Sequence, residues 1–91
     1  MSEKQQIIID LSRLRTKKGV HNRFREVLNF PVYYGMNLDA LHDCLMEQRD
    51  IDLRVRGLDS MERRFGEWGQ TLKRVLEDAD GENPYLNITL I

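Results

Sequence analysis

The chain of 91 residues is 41% hydrophobic and 32% charged, with a net charge of −1, the balance of one soluble globular domain with a single core and little room for an enclosed active site. No stretch approaches the ~20 apolar residues of a membrane span, Met1 to Gln6 lack a basic, apolar leader, and the lone Cys44 has no partner for an internal disulfide, so a reducing, cytoplasmic setting is expected. The net charge conceals a polarity: residues 1–28 carry seven Lys/Arg against three Asp/Glu, residues 29–62 three against seven, and residues 63–91 four against five.

In chain order, Gln5 to Leu11 is a β-branched run suited to a strand buried on both faces. Thr16 can cap a helix in which Val20, Phe24, Val27 and Leu28 share one side, ending near Asn29 ahead of Pro31. Pro31 biases Phe30 towards extended backbone, Tyr33 and Tyr34 follow, Gly35 permits a tight or left-handed turn, and Asn37 can cap a helix that begins at Leu38. On that helix Leu38, Leu41 and Leu45 form the stripe that packs, while Asp39, Asp43 and Glu47 recur at i, i+4, i+8 on another side.

Ile51 to Arg56 alternates apolar and polar residues, as in a strand with one wet face at a sheet edge. Gly57 ends it, and Asp59 with Glu62 has the spacing of a capping box. Met61, Phe65, Trp68, Leu72, Val75, Leu76 and Ala79 continue a helical stripe that Gly66 and Gly69 break into two helices. Gly81 to Pro84 turns the chain and Tyr85 to Ile91 is a final β-rich run. Strands separated by helices require parallel pairing through crossovers, so the class is α/β: one domain spanning residues 1–91, with a three-stranded parallel sheet, helices packed against it, and strand order 2-1-3.

The acidic side of the central helix is not explained by folding alone. Like charges at i, i+4 cost roughly 0.2–0.5 kcal/mol per pair. The helix dipole offsets this for Asp39 in the first turn, but not for Asp43 or Glu47. A row of carboxylates spanning about 12 Å is either a solvated face or a surface for a cationic partner. It repels phosphate, which argues against nucleic acid there. The basic N-terminal third reads as a solvated helix face, a nucleic-acid surface being the alternative.

The motif Pro31-x-Tyr33-Tyr34-Gly35-x-Asn37-Leu38-Asp39-Ala40-Leu41-x-Asp43-Cys44-Leu45 resembles the signature of the barstar family, intracellular inhibitors of barnase-type ribonucleases. The resemblance implies three parallel strands with about four helices, and inhibition by occupation of a cationic active site. By the same resemblance Asp39 and Asp43 are the helix-borne carboxylates that enter the nuclease, where a carboxylate can meet a guanidinium fork in a site built for phosphate. Tyr33 is the aromatic set against the nuclease, Gly35, Asn37 and Leu38 lie beside the contact, Glu47 is a rim charge, and Asp78 matches a further acidic contact. Glu82 corresponds only loosely.

His42 departs from the pattern, which has tryptophan there. It reads as a partly packed histidine or as a retuned interface whose protonation would weaken the acidic field. The implied partner is a cognate ribonuclease or nuclease toxin bound one-to-one by a monomer, without nucleic acid, membrane or cofactor. Immunity to a toxin from neighbouring cells would use the same mechanism. The alternative is an acidic interaction or regulatory module for a basic partner that is not a nuclease. An enzyme is not expected: nucleophile motifs, phosphate loops and metal-ligand spacings are missing from the sequence, and Asp39, His42, Asp43 and the distant His21 make a poor metal set.

Overall fold

The alternation of the strands decides the layering. In a computed structural model that describes residues 4–91, the elements run β1 (Gln5–Asp10), α1 (Lys17–Leu28), α2 (Leu38–Met46), β2 (Ile51–Arg56), α3 (Leu58–Phe65), α4 (Glu67–Glu82) and β3 (Leu86–Leu90). Met1 to Glu3, on which the reading of a missing leader partly rests, lie outside the described residues. The three strands form one parallel sheet, β1 pairing β2 from Gln5↔Ile51 to Asp10↔Arg56 and β2 pairing β3 from Ile51↔Leu86 to Val55↔Leu90. Three parallel strands and four helices make the α/β class expected.

The strand order is 1-2-3, not 2-1-3. Two crossovers of the usual right hand that step in the same direction leave all their helices on one side of the sheet. This corrects two further expectations. β2 is central rather than an edge, and it alternates because the sheet has a single covered face: Ile51, Leu53 and Val55 are buried while Arg54 and Arg56 are exposed. β1 is likewise covered on one face only, with Ile9 fully buried and Ile8 58% exposed.

The core lies between that one face and the helices. Ile9, Leu53 and Val55 meet Phe24 of α1, Leu41 and Leu45 of α2, Met61 of α3, and Leu72 and Leu76 of α4, all with no exposed surface. Thr16 caps α1 through its side chain, which accepts from Gly19 N–H at 2.9 Å, and Asn29 closes the helix in the left-handed region at φ 56°.

α3 does not begin with a capping box. It starts two residues earlier than a cap at Asp59 would place it, after Gly57 at φ 87°, with no side-chain cap, and Asp59 sits inside its first turn. A side chain at Gly57 would also stand 2.5 Å from the backbone nitrogen of Ser12, so the position requires glycine twice over. The long stripe divides at Gly66 into α3 and α4 as expected. Gly69 is part of α4 and brings it against the end of α3, where a Cβ would lie 2.5 Å from the Met61 carbonyl oxygen. α4 then continues through Gly81 to Glu82, past the expected turn, which is confined to the residues before Leu86.

Candidate partner-binding face

The loop before α2 separates its two tyrosines. Tyr34 N–H donates to Pro31 O at 3.0 Å, closing a tight turn that places Val32 and Tyr33 at its tip, 96% and 84% exposed. Tyr34 points the other way and is buried. Its hydroxyl is hydrogen-bonded to His21 Nδ1 of α1 at 2.6 Å, and its ring meets Phe30 edge-on at 5.0 Å between centroids. Burial holds His21 below its ordinary pKa and raises that of Tyr34, so both are neutral, a polar pair satisfied inside the core. The loop is thereby pinned to α1, and Tyr33 is presented rather than packed.

Gly35 does not supply the left-handed turn; Met36 does, at φ 55°. A Cβ at Gly35 would fit tightly against the start of α2, 3.3 Å from Asn37 Nδ2 and 3.4 Å from Ala40 Cβ. Asn37 then caps α2 as read, its Oδ1 accepting from Ala40 N–H at 2.7 Å and its Nδ2 donating to Gly35 O at 3.3 Å. The cap therefore fixes both the helix start and the chain that leads into it.

Leu41 and Leu45 are fully buried, Leu38 is half-buried, and Asp39, Asp43 and Glu47 are exposed along the outer side of α2. Asp43 keeps 84% of its side-chain surface. Among the described residues no lysine or arginine comes within 4.0 Å of these carboxylates; only His42 Nδ1 approaches, at 4.0 Å from Asp43 Oδ1. Among the described residues the row is of one sign and in contact with no lysine or arginine.

The far end of α2 is held by a residue that the sequence did not single out. Asn83, 3% exposed, donates through Nδ2 to the carbonyls of Leu45, Met46 and Gln48 at 3.0, 3.3 and 2.9 Å, and its Oδ1 accepts from Tyr85 N–H at 3.0 Å. Leu45 and Met46 end α2 and Gln48 lies just past its cap, so one side chain holds both the helix end and the chain that leaves it. Between the two caps, His42 Nε2 lies 3.0 Å from Glu82 Oε2, so Glu82 is tied to the face. Asp78, exposed one turn earlier on the same side of α4, touches none of the α2 carboxylates through a hydrogen bond or ion pair.

Two hollows flank the row. Asp43 and Glu47 border a cleft of about 250 Å³ that Pro31, Tyr33, Gly35 and Cys44 complete. Asp39, with Asn37 and Leu38, borders a groove of about 570 Å³ whose other wall is Trp68, Met36 and His21, with Lys17 and Lys18 at its rim. Burial, then Glu47 and Asp43, push the Cys44 thiol up, which keeps it protonated and a poor nucleophile. Among the described residues no group of three or more His, Cys, Asp or Glu is arranged to hold a metal ion, and no helix is long and apolar enough to cross a membrane. The exposed carboxylates are not paired for acid–base chemistry. What the face can do is accept hydrogen bonds from cations beside an exposed aromatic ring.

Sequence alone did not separate Tyr34 from Tyr33; the buried partner His21 does. Asn83 had no local signal and Glu82 only that of a carboxylate at a helix C-terminus, since both act on the α2 region some 35 to 40 positions earlier in the chain.

The family model described as "Barstar (barnase inhibitor)" matches residues 4–88. A curated protein of Bacillus subtilis (strain 168), named "Putative ribonuclease inhibitor YrdF", is 31% identical over 80 residues, covering 86% of this chain and 88% of its own.

Proposed function

From the premise that this chain belongs to the barstar family, we propose that it is a ribonuclease inhibitor that binds a barnase-like nuclease and blocks its cationic active site with α2 and the loop before it. Asp39 and Asp43 enter the site as substitutes for substrate phosphate: each carboxylate offers two acceptor oxygens to a guanidinium or ammonium and contains no bond that the enzyme can cleave. Tyr33 covers the rim of the site with its exposed ring. Gly35, Asn37 and Leu38 shape the edge, Glu47 steers the approach from the end of the row, and Asp78 makes a peripheral contact. The observation that carries the reading is the single-signed, unpaired row of carboxylates on a helix fixed at both ends by Asn37 and Asn83.

Rigidity matters because side chains that are already in place lose less freedom on binding. Charge complementarity then makes association fast and salt-sensitive, while a few central contacts set dissociation. The inhibitor is a monomer that forms a one-to-one complex in the cytoplasm.

The test is inhibition of a barnase-type ribonuclease by the protein and by Asp43→Ala, at low and moderate salt. Tight inhibition that weakens with salt and collapses with the substitution supports the reading. A folded protein that leaves the enzyme untouched overturns it for that class of nuclease and turns attention to a basic partner of another kind.

A further inference from the structure

His42 stands in the middle of the acidic face, 31% exposed at its side chain, and joins α2 to the end of α4. Its Nε2 is 3.0 Å from Glu82 Oε2, and its Nδ1 is 4.0 Å from Asp43 Oδ1. An ionised carboxylate only accepts hydrogen bonds, so Nε2 carries the hydrogen and donates to Glu82. In the neutral ring Nδ1 is then an unprotonated lone pair beside the exposed carboxylate of Asp43.

We propose that His42 is a specificity-determining residue of this face: Glu82 fixes its tautomer, and its Nδ1 joins Asp43 as a pair of acceptors for one cationic side chain of the nuclease. The proposal rests on the inhibitor reading and deepens it. A guanidinium has five donors and an ammonium three, so either can reach both acceptors at once. Carboxylate and imidazole in this arrangement add a second direction of acceptance to the two oxygens of the aspartate.

A residue that merely clips α2 to α4 would use Nε2 alone, and two substitutions separate the roles. His42→Gln can place an amide N–H where Nε2 stands, preserving the link to Glu82 while removing the second acceptor. His42→Asn can place an amide oxygen where Nδ1 stands, restoring the acceptor. The experiment measures dissociation constants for a barnase-type ribonuclease at about pH 8, with unfolding curves confirming that each variant is folded. His42→Gln is expected to bind about tenfold more weakly than the parent. His42→Asn is expected to recover part of the affinity. If His42→Gln matches the parent within about twofold while Asp43→Ala still abolishes binding, the proposal is overturned and the inhibitor reading stands. If the parent itself does not bind, both fall together.

Discussion

The molecule presents two exposed polar surfaces that differ in how their charges are arranged: the open face of the sheet and the outer side of α2. On the sheet, register sets Gln6, Asp52 and Asn87 side by side, then Ile8, Arg54 and Thr89, then Asp10 and Arg56. Both signs are interleaved there. Asn87 Nδ2 donates to Asp52 Oδ1 at 3.2 Å, and the hydroxyl and N–H of Ser12, helped by Arg56, hold the Asp10 carboxyl below its usual range. Asp10 and Asp52 thus each accept a hydrogen bond from a neighbouring side chain on a surface of mixed sign. On α2, Asp39, Asp43 and Glu47 repeat one sign and are left unanswered. Exposure and charge alone do not separate the two surfaces; what sets α2 apart, and what the proposed reading uses, is a single-signed pattern on a fixed support.

The contrast can be broken most sharply at Asp43. Its replacement by alanine is expected to weaken binding to a barnase-type ribonuclease about a thousandfold, because a buried cationic site loses its partner, with stability unchanged. A loss below about twofold, read by inhibition kinetics, would return α2 to the same class as the sheet. Next comes the support itself. Asn83→Ala leaves three carbonyls of the α2 end without their side-chain donor, and should lower stability by about 2–3 kcal/mol in urea unfolding. It should also speed dissociation of the complex, since the end of the row is then free to move.

A third test concerns the anchor of the loop. Burial lowers the pKa of His21 in the folded state, so between that lowered value and about 6.5 the unfolded chain binds the proton that the folded chain refuses. Stability is accordingly complete above that window and declines as pH falls through it. Urea midpoints between about pH 7.5 and about pH 5 should fall for the parent and fall less for His21→Gln; equal slopes would remove His21 as the cause. A smaller effect is expected at Glu47, which lies at the end of the row. Glu47→Gln should slow association a few-fold at low salt and leave dissociation alone. Smallest of all, Arg54→Ala on the open sheet should change binding and stability by no more than about 0.5 kcal/mol.

Much of the face was legible because its signals are local. Asn37 three residues before Ala40, the leucine stripe and the row of carboxylates all lie within one helix and its approach, and each behaves as its spacing implies. The strand order was not legible in this way. Alternation in β2 reports one wet face, and a central strand in a sheet covered on one side has the same pattern as an edge strand. The direction of a crossover is a global property that no window of sequence contains. Likewise Met36 takes the left-handed backbone beside a glycine that does not. Asn83, next to Pro84 in a polar stretch, has the local character of a turn residue. Its role appears only when the end of α2 is brought against it.

That cap has a consequence for the order of events during folding. The pairs Gln5↔Ile51 and Ile51↔Leu86 join positions more than a third of the chain apart, so the sheet closes only after long loops have been drawn in, a slow step for any topology. Asn83 precedes the last strand and reaches its targets on α2 only when α4 has docked. A chain still emerging from the ribosome, or arrested before β3 has joined, can carry the whole motif from Pro31 to Leu45 and yet hold its carboxylates on a helix with a frayed end. Under the proposed inhibitor reading, binding by α2 would then be coupled to completion of the last residues.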